Sequence, residues 1–182
     1  MAGPYEMVEE AIVLLDQAID GHRDELANDQ EALFALINEI LLPRFNRKYA
    51  AQLVLGGKNW RDADASQRER FINAFYNQLF CKYADGVLEF DPDRVRLLPF
   101  RGDLTESRPI IKTTVRLDDG TQVTVNYDFA SRGDGWKMFD VTIEGISYVR
   151  KLRAELDFEI RATSLDAVIE RLEAVTSNEA VE

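Results

Sequence analysis

A chain of 182 residues, 46% hydrophobic and 30% charged, can bury roughly 70% of its unfolded surface in one core and does not have the composition of a disordered chain. Its 33 acidic residues against 22 basic ones leave a net charge of −11, which repels a polyanion, so no nucleic acid is expected as a partner. A lone cysteine, Cys81, and a lone histidine, His22, rule out an intramolecular disulfide and supply neither a His-rich metal site nor a Cys/His catalytic pair.

The first half reads as helical. From Met7 the apolar positions Ala11, Leu14, Leu15, Ala18 and Ile19 recur at helical spacing, with Pro4 near the start and Gly21 weakening the end. A second helix is predicted from Asn28 or Asp29, carrying Leu33, Leu36, Ile37, Ile40 and Leu41 on one stripe until Pro43 interrupts it. Phe45, Tyr49 and Leu53 follow at four-residue steps to a stop at Gly56-Gly57. Asp64 with Gln67 three residues on has capping-box character, and Phe71, Phe75, Leu79 and Tyr83 then share a face.

After Gly86 the period changes from helical to alternating. Pro92, Pro99 and Pro109 punctuate extended pieces, and about four strands are expected between Val95 and Glu144. Val123, Val125, Tyr127 and Phe129 alternate with polar residues, the pattern of a sheet with one covered face. Asp119-Gly120 predicts a tight hairpin back to Ile110–Leu117, and Arg132-Gly133-Asp134-Gly135 leads to a strand with Phe139, Val141 and Ile143 on one face. Beyond Gly145 a helical stripe of Ile146, Val149, Leu152, Leu156 and Ile160 resumes, and a last helix begins near Ser164. The expected organisation is one α+β domain over residues 5–172, an antiparallel sheet packed against N- and C-terminal helices with an apolar pocket between, followed by a C-terminal tail at 173–182.

Residues with chemistry offer little. Asp140 and Glu144 are four apart on a predicted strand, about 13 Å, too far to share a proton. Gly56-Gly57-Lys58 lacks the spaced glycines and the Lys-Ser/Thr pair of a phosphate loop, and Ser147 lacks the second glycine of a nucleophile elbow. No catalytic residue and no metal ligand is therefore assigned. What remains is a concentration of apolar side chains on facing elements: Phe45, Tyr49, Phe75, Leu79 and Tyr83 from helices, Val115, Val125, Tyr127, Phe139 and Val141 from strands, and Ile146 and Val149 beyond them. On periodicity alone, a filled core and a lipid pocket give the same stripes.

Two stretches decide between these readings. Residues 41–56, LLPRFNRKYAAQLVLG, continued by Trp60 and by residues 67–75, QRERFINAF, resemble the central signature of the MlaC, or toluene-tolerance, family of periplasmic phospholipid-binding proteins. Residues 135–147, GWKMFDVTIEGIS, resemble its strand-to-helix segment, and with 164–172 the likeness runs from about Tyr5 to Leu172 in family order. Ala65-Ser66 stands where the family usually has Pro-Glu.

The resemblance implies a soluble periplasmic lipid-transport component that maintains outer-membrane lipid asymmetry. Such a carrier exchanges phospholipid between an outer-membrane lipoprotein complex and an inner-membrane ABC transporter with MCE-domain subunits. It implies bound phospholipid as cargo, no cofactor, and no enzymatic activity. The residues named above are then expected to line a hydrophobic pocket with no charged side chain at its deepest point. No apolar run reaches the roughly 18 residues that span a bilayer. The N-terminus carries no basic-then-apolar leader, so Met1-Ala2-Gly3-Pro4 is compatible with a start placed after a removed signal. The competing expectation is a small pocketed α+β hydrolase or dehydratase, which uses a carboxylate with a tyrosine and needs a buried carboxylate facing the pocket.

Overall fold

A computed structural model describes residues 2–103 and 108–178. The chain divides into two compact units, one formed by residues 1–46 and 84–147, the other by 47–83 and 148–182.

The first unit holds α1 (Pro4–Ile19), α2 (Arg23–Ala27), α3 (Gln30–Leu41) and a 3-10 turn at Leu42–Arg44. Five strands complete it: β1 (Val95–Leu97), β2 (Ile110–Arg116), β3 (Gln122–Ser131), β4 (Trp136–Ile143) and β5 (Ile146–Ser147). They pair antiparallel in sequence order, a pure meander, so the expected antiparallel sheet is present with one strand more than about four. Pro4 opens α1, where a missing amide proton costs nothing. Asp29 caps α3 by accepting from the Ala32 amide at 2.9 Å. Cross-strand neighbours Thr113 and Val125, Ile111 and Tyr127, and Tyr127 and Val141 fix one sheet face. There Ile111 and Phe129 are buried and pack with Val8, Tyr5 and Ile12 of α1. The other end of α1 packs Leu15 and Ile19 against Ile40 of α3.

The second unit is helical: α4 (Arg47–Leu55), α5 (Gly57–Asp62), α6 (Ala65–Leu88, which passes into the first unit beyond Tyr83), α7 (Tyr148–Ala162) and α8 (Leu165–Asn178). Its core gathers Val54, Leu55, Phe71, Phe75, Leu156, Val168, Ile169 and Leu172, with the Phe71 and Phe75 rings stacked at 5.7 Å. Gly56 takes φ +82°, a left-handed conformation that ends α4 and turns directly into α5. A Cβ there would also meet Arg153 Nε at 3.2 Å.

The capping box that opens α6 is reciprocal. The Asp64 carboxylate accepts from the Gln67 amide at 2.8 Å, and the Gln67 side-chain oxygen accepts from the Asp64 amide at 3.0 Å. Asp64→Ala should therefore cost about 1 kcal/mol, in the 0.5–2 range of lost caps, measured as a fall in denaturation midpoint at unchanged m-value.

Several boundaries differ from the sequence reading. A helix, α5, occupies Gly57–Asp62, where only a stop was expected, and α6 continues through Gly86 to Leu88 because Val87 packs with the α1–α3 core. The residues expected as tail from 173 are helical to Asn178, and residues 179–182 lie outside the described residues. Ile146 belongs to β5 and not to a helix, since Glu144 and Gly145 both take positive φ, 49° and 79°, and close a two-residue hairpin that pairs Ile143 with Ile146.

Phe139 also differs. Asp128 pairs with Asp140 while Phe129 pairs with Met138, so Phe139 is the extra residue of a bulge and Met138 takes its place opposite Phe129. Met138 accordingly packs with the Ile111–Phe129 cluster.

Candidate functional site

Where the middle of α1 passes the sheet, the first unit keeps a cavity of about 780 Å³, within the ~300–1,000 Å³ range of small-molecule pockets. One wall is helical: Met7, Val8, Ala11, Ile12 and Leu15 from α1, Leu41 from α3 and Arg44 from the 3-10 turn. The opposite wall is sheet: Val95, Val115, Tyr127, Phe129 and Met138. Gly86, Phe90 and Leu117, with the charged residues Glu89, Asp91, Arg94, Asp118 and Asp119 and Arg116 at the end of β2, complete the lining.

These walls follow from local sequence. On α1, positions 8, 11, 12 and 15 recur at helical spacing and so share a face. On the sheet, Tyr127 lies beside Ile111 and Val141, and Phe129 beside Met138, because of the register and the bulge.

The polar groups at the loops are tied to each other. Arg94 pairs with Asp118 and, at 3.3 Å, with Asp91. Asp119 accepts from the Thr121 amide at 2.8 Å, and that hydrogen bond holds its carboxyl below the usual range. Arg44 is different: its side chain is 19% exposed, it pairs with Glu10 at 3.3 Å, and it donates through Nη1 to the Ile40 carbonyl at 2.6 Å.

Burial pushes the Tyr127 hydroxyl above its ordinary value of 10.0, against a smaller lowering by its hydrogen bond with Thr113. The folded state therefore favours the neutral phenol. Its contribution to stability is complete below pH 10 and is lost as pH rises from there through the folded value. Tyr127→Phe should accordingly lose less stability than the parent when melting temperatures are compared at neutral pH and above pH 10.

The residues predicted from sequence fall in several places. Val115 and Tyr127 border the cavity. Val125 and Val141 lie half-buried on the Tyr127 face of the sheet. Phe45 forms a parallel bridge with Met138, helped by the Asn46 amide donating to the Met138 carbonyl at 2.8 Å. Phe139 is buried beneath the Arg108 guanidinium, 5.7 Å from its ring centre. Ile146 is 59% exposed.

In the second unit Tyr49 and Phe75 are buried, Leu79 and Val149 pack at the edge of the core, and Tyr83 meets Tyr148 edge-on at 5.8 Å. Ala11 and Leu15 of the α1 wall stood on the predicted apolar stripe but not among the expected pocket residues, and Val8, Ile12 and Arg44 were not singled out from sequence. The α1 periodicity was the available signal, but the stripe was drawn through Leu14, which is exposed, and passed over Val8 and Ile12.

The family model for MlaC protein matches residues 10–174. The chain belongs to the MlaC family. Among curated members it is 24% identical over 148 residues to the intermembrane phospholipid transport system binding protein of Haemophilus influenzae, covering 79% of this chain and 68% of that one. It is 22% identical over 150 residues to a toluene tolerance protein of Pseudomonas putida, covering 82% of this chain and 69% of the relative. A solved structure of a phospholipid-binding protein from Ralstonia solanacearum, in complex with a phospholipid, superposes with a TM-score of 0.84 at 21% identity over 98% of this chain and 99% of that one. This MlaC-family chain therefore shares that fold. Among its described residues no helix is long and apolar enough to cross a membrane.

Proposed function

We propose that this chain is a periplasmic phospholipid carrier, holding acyl tails in an apolar pocket and passing the lipid between an outer-membrane lipoprotein complex and an inner-membrane ABC transporter with MCE-domain subunits. The observation that carries the reading is the cavity of about 780 Å³ between α1 and the sheet, walled by aliphatic and aromatic side chains, in a chain of the MlaC family. Its relatives, an intermembrane phospholipid transport system binding protein and a protein solved in complex with a phospholipid, support the same reading.

The physics fits carriage. Each methylene removed from water is worth about 0.8 kcal/mol, so long acyl tails do not cross an aqueous gap unprotected. A dry pocket removes that barrier. Tails in a bilayer are already in hydrocarbon, so exchange between bilayer and pocket is nearly balanced, and direction comes from the partners. The cargo is phospholipid and no cofactor is required.

The enzyme alternative is not favoured. It requires a buried carboxylate with a raised pKa beside the pocket tyrosine. Among the carboxylates that border the cavity, Glu89 is exposed, Asp91 and Asp118 are bound to Arg94, and Asp119 is held low by the Thr121 amide. The test is transfer of a fluorescent phospholipid between two vesicle populations. The chain should accelerate transfer in proportion to its concentration without changing the lipid chemically; hydrolysed or otherwise altered lipid would overturn the reading.

A further inference from the structure

The outward face of α7 carries a phenyl ring that the packing of its unit does not use. Leu156 belongs to the core of the second unit, and Val149, Leu152 and Ile160 pack against that core, so one side of the helix is fixed inward. Phe158 is two residues past Leu156, roughly 200° around the helix. It is 77% exposed, more than any other large apolar side chain among the described residues. Ala154 and Ala162, one turn to either side of it, are exposed and small, so the ring projects beyond its surroundings.

The charge around this ring has the opposite sign to that of the chain. Residues 4–43 hold ten Asp or Glu and a single Lys or Arg, Arg23. The helices α4, α5 and α7, residues 47–62 and 148–162, hold eight Lys or Arg against four Asp or Glu. These helices are neighbours: Asn59 of α5 donates to the Asp157 carboxylate of α7 at 3.4 Å. Lys151, seven residues before Phe158 and so on the same side of α7, is exposed, with its ammonium 5.8 Å from the Tyr148 ring centre. Arg161, three residues beyond the ring, is 78% exposed, and its pairing with Asp157 at 2.8 Å is weak in so solvated a position.

We propose that the outward face of α7 around Phe158 docks this chain on a phospholipid bilayer bearing anionic head groups, the ring entering the interface while Lys151 and Arg161 lie over the phosphates. An exposed apolar side chain ringed by cations matches such a surface in both polarity and charge. A fluid interface closes around a single projecting ring, whereas a protein partner is anchored by one only where it brings a matching pocket. The negative charge on residues 4–43 is not a bar, since in physiological salt it is screened beyond about 8 Å. No residue of α4, α5 or α7 lines the cavity, so the docking face is a property distinct from carriage and does not rest on it.

The experiment mixes the full chain with vesicles of phosphatidylcholine alone, or of phosphatidylcholine and phosphatidylglycerol in equal parts, and sediments them. Protein in the pellet is docked; lipid extracted from protein left in the supernatant is cargo. Partition of the parent onto the phosphatidylglycerol vesicles should exceed that onto phosphatidylcholine by about tenfold at about 0.1 M salt. It should be lost at about 1 M, where the screening length falls to about 3 Å. Phe158→Ser should lower the partition by about tenfold, equivalent to about 1.4 kcal/mol and within what burial of part of a phenyl ring supplies. Lys151→Glu should lower it by about tenfold on phosphatidylglycerol and leave phosphatidylcholine unchanged. Both side chains are exposed, so circular dichroism and cargo level should match the parent.

A parent that stays in the supernatant with both vesicles, or pellets equally with both, overturns the proposal, as does a Phe158→Ser variant that pellets like the parent. A parental dimer in sedimentation equilibrium that Phe158→Ser dissociates would assign the ring to a second copy of the chain and overturn it too. Cargo without pelleting removes the docking face and leaves carriage standing; pelleting without cargo supports the docking face and removes carriage.

Discussion

Ala11→Trp is expected to abolish phospholipid loading while leaving the lipid-free protein close to its parental stability. Ala11 lies on the α1 face that forms the cavity wall, so an indole there projects into space that acyl tails would occupy. In a filled core such an enlargement costs about 1–3 kcal/mol through strain. In an open apolar cavity the ring finds room, and the cost is limited to the weaker helix propensity of tryptophan, at most about 0.7 kcal/mol, offset by apolar area buried against the cavity walls. At this chain length that corresponds to a change in melting temperature of no more than about 2–3 °C. Glu9→Trp, two residues away on the exposed side of α1, is the control and should retain parental lipid. Loss of several kcal/mol with unchanged bound lipid would mean that the space beside Ala11 is ordinary core.

Phe71→Ala should have the opposite signature: a large loss of stability from a residue far in sequence from the cavity walls. Phe71 is 0% exposed and is surrounded by the packed core of the second unit, its ring stacked on Phe75. Truncation removes transfer energy and leaves a void, together about 3–5 kcal/mol, a large fraction of the ~5–15 kcal/mol that holds a domain folded. Chemical denaturation measures it directly. A loss below about 1 kcal/mol would contradict the packing described for this unit. Phe71→Leu, which keeps most of the volume, should cost clearly less.

The contrast between these two positions shows what sequence carries and what it does not. Helix starts were legible because they are made by neighbours: Asp29 and the Ala32 amide, Asp64 with Gln67, Ser164 with the Ala167 amide at 3.1 Å. The β2–β3 hairpin was legible for the same reason, Asp119-Gly120 with Gly120 at φ +83°. The Glu144-Gly145 hairpin was not, because its first residue is not one of the small polar residues that tolerate positive φ. Strict alternation placed Phe139 with Val141, and the bulge that puts Met138 there instead is fixed by pairing with β3, information that no local pattern contains.

The cavity walls were the least legible part. Val8 and Phe129 on one side and Val54 and Phe71 on the other are equally apolar and equally periodic. Whether such a stripe meets a partner or an opening depends on how distant segments assemble. Arg44 was hidden for a related reason: in sequence it is a helix-end arginine, and only its place in the cavity lining sets it apart.

The central claim is that this chain carries phospholipid. Purifying it under native conditions, extracting with organic solvent and quantifying lipid by mass spectrometry tests that claim most directly. The carrier account predicts phospholipid in stoichiometric amount relative to protein, or uptake to that level on incubation of the delipidated chain with phospholipid vesicles. A folded chain that contains no lipid after purification and takes up none from vesicles would contradict it.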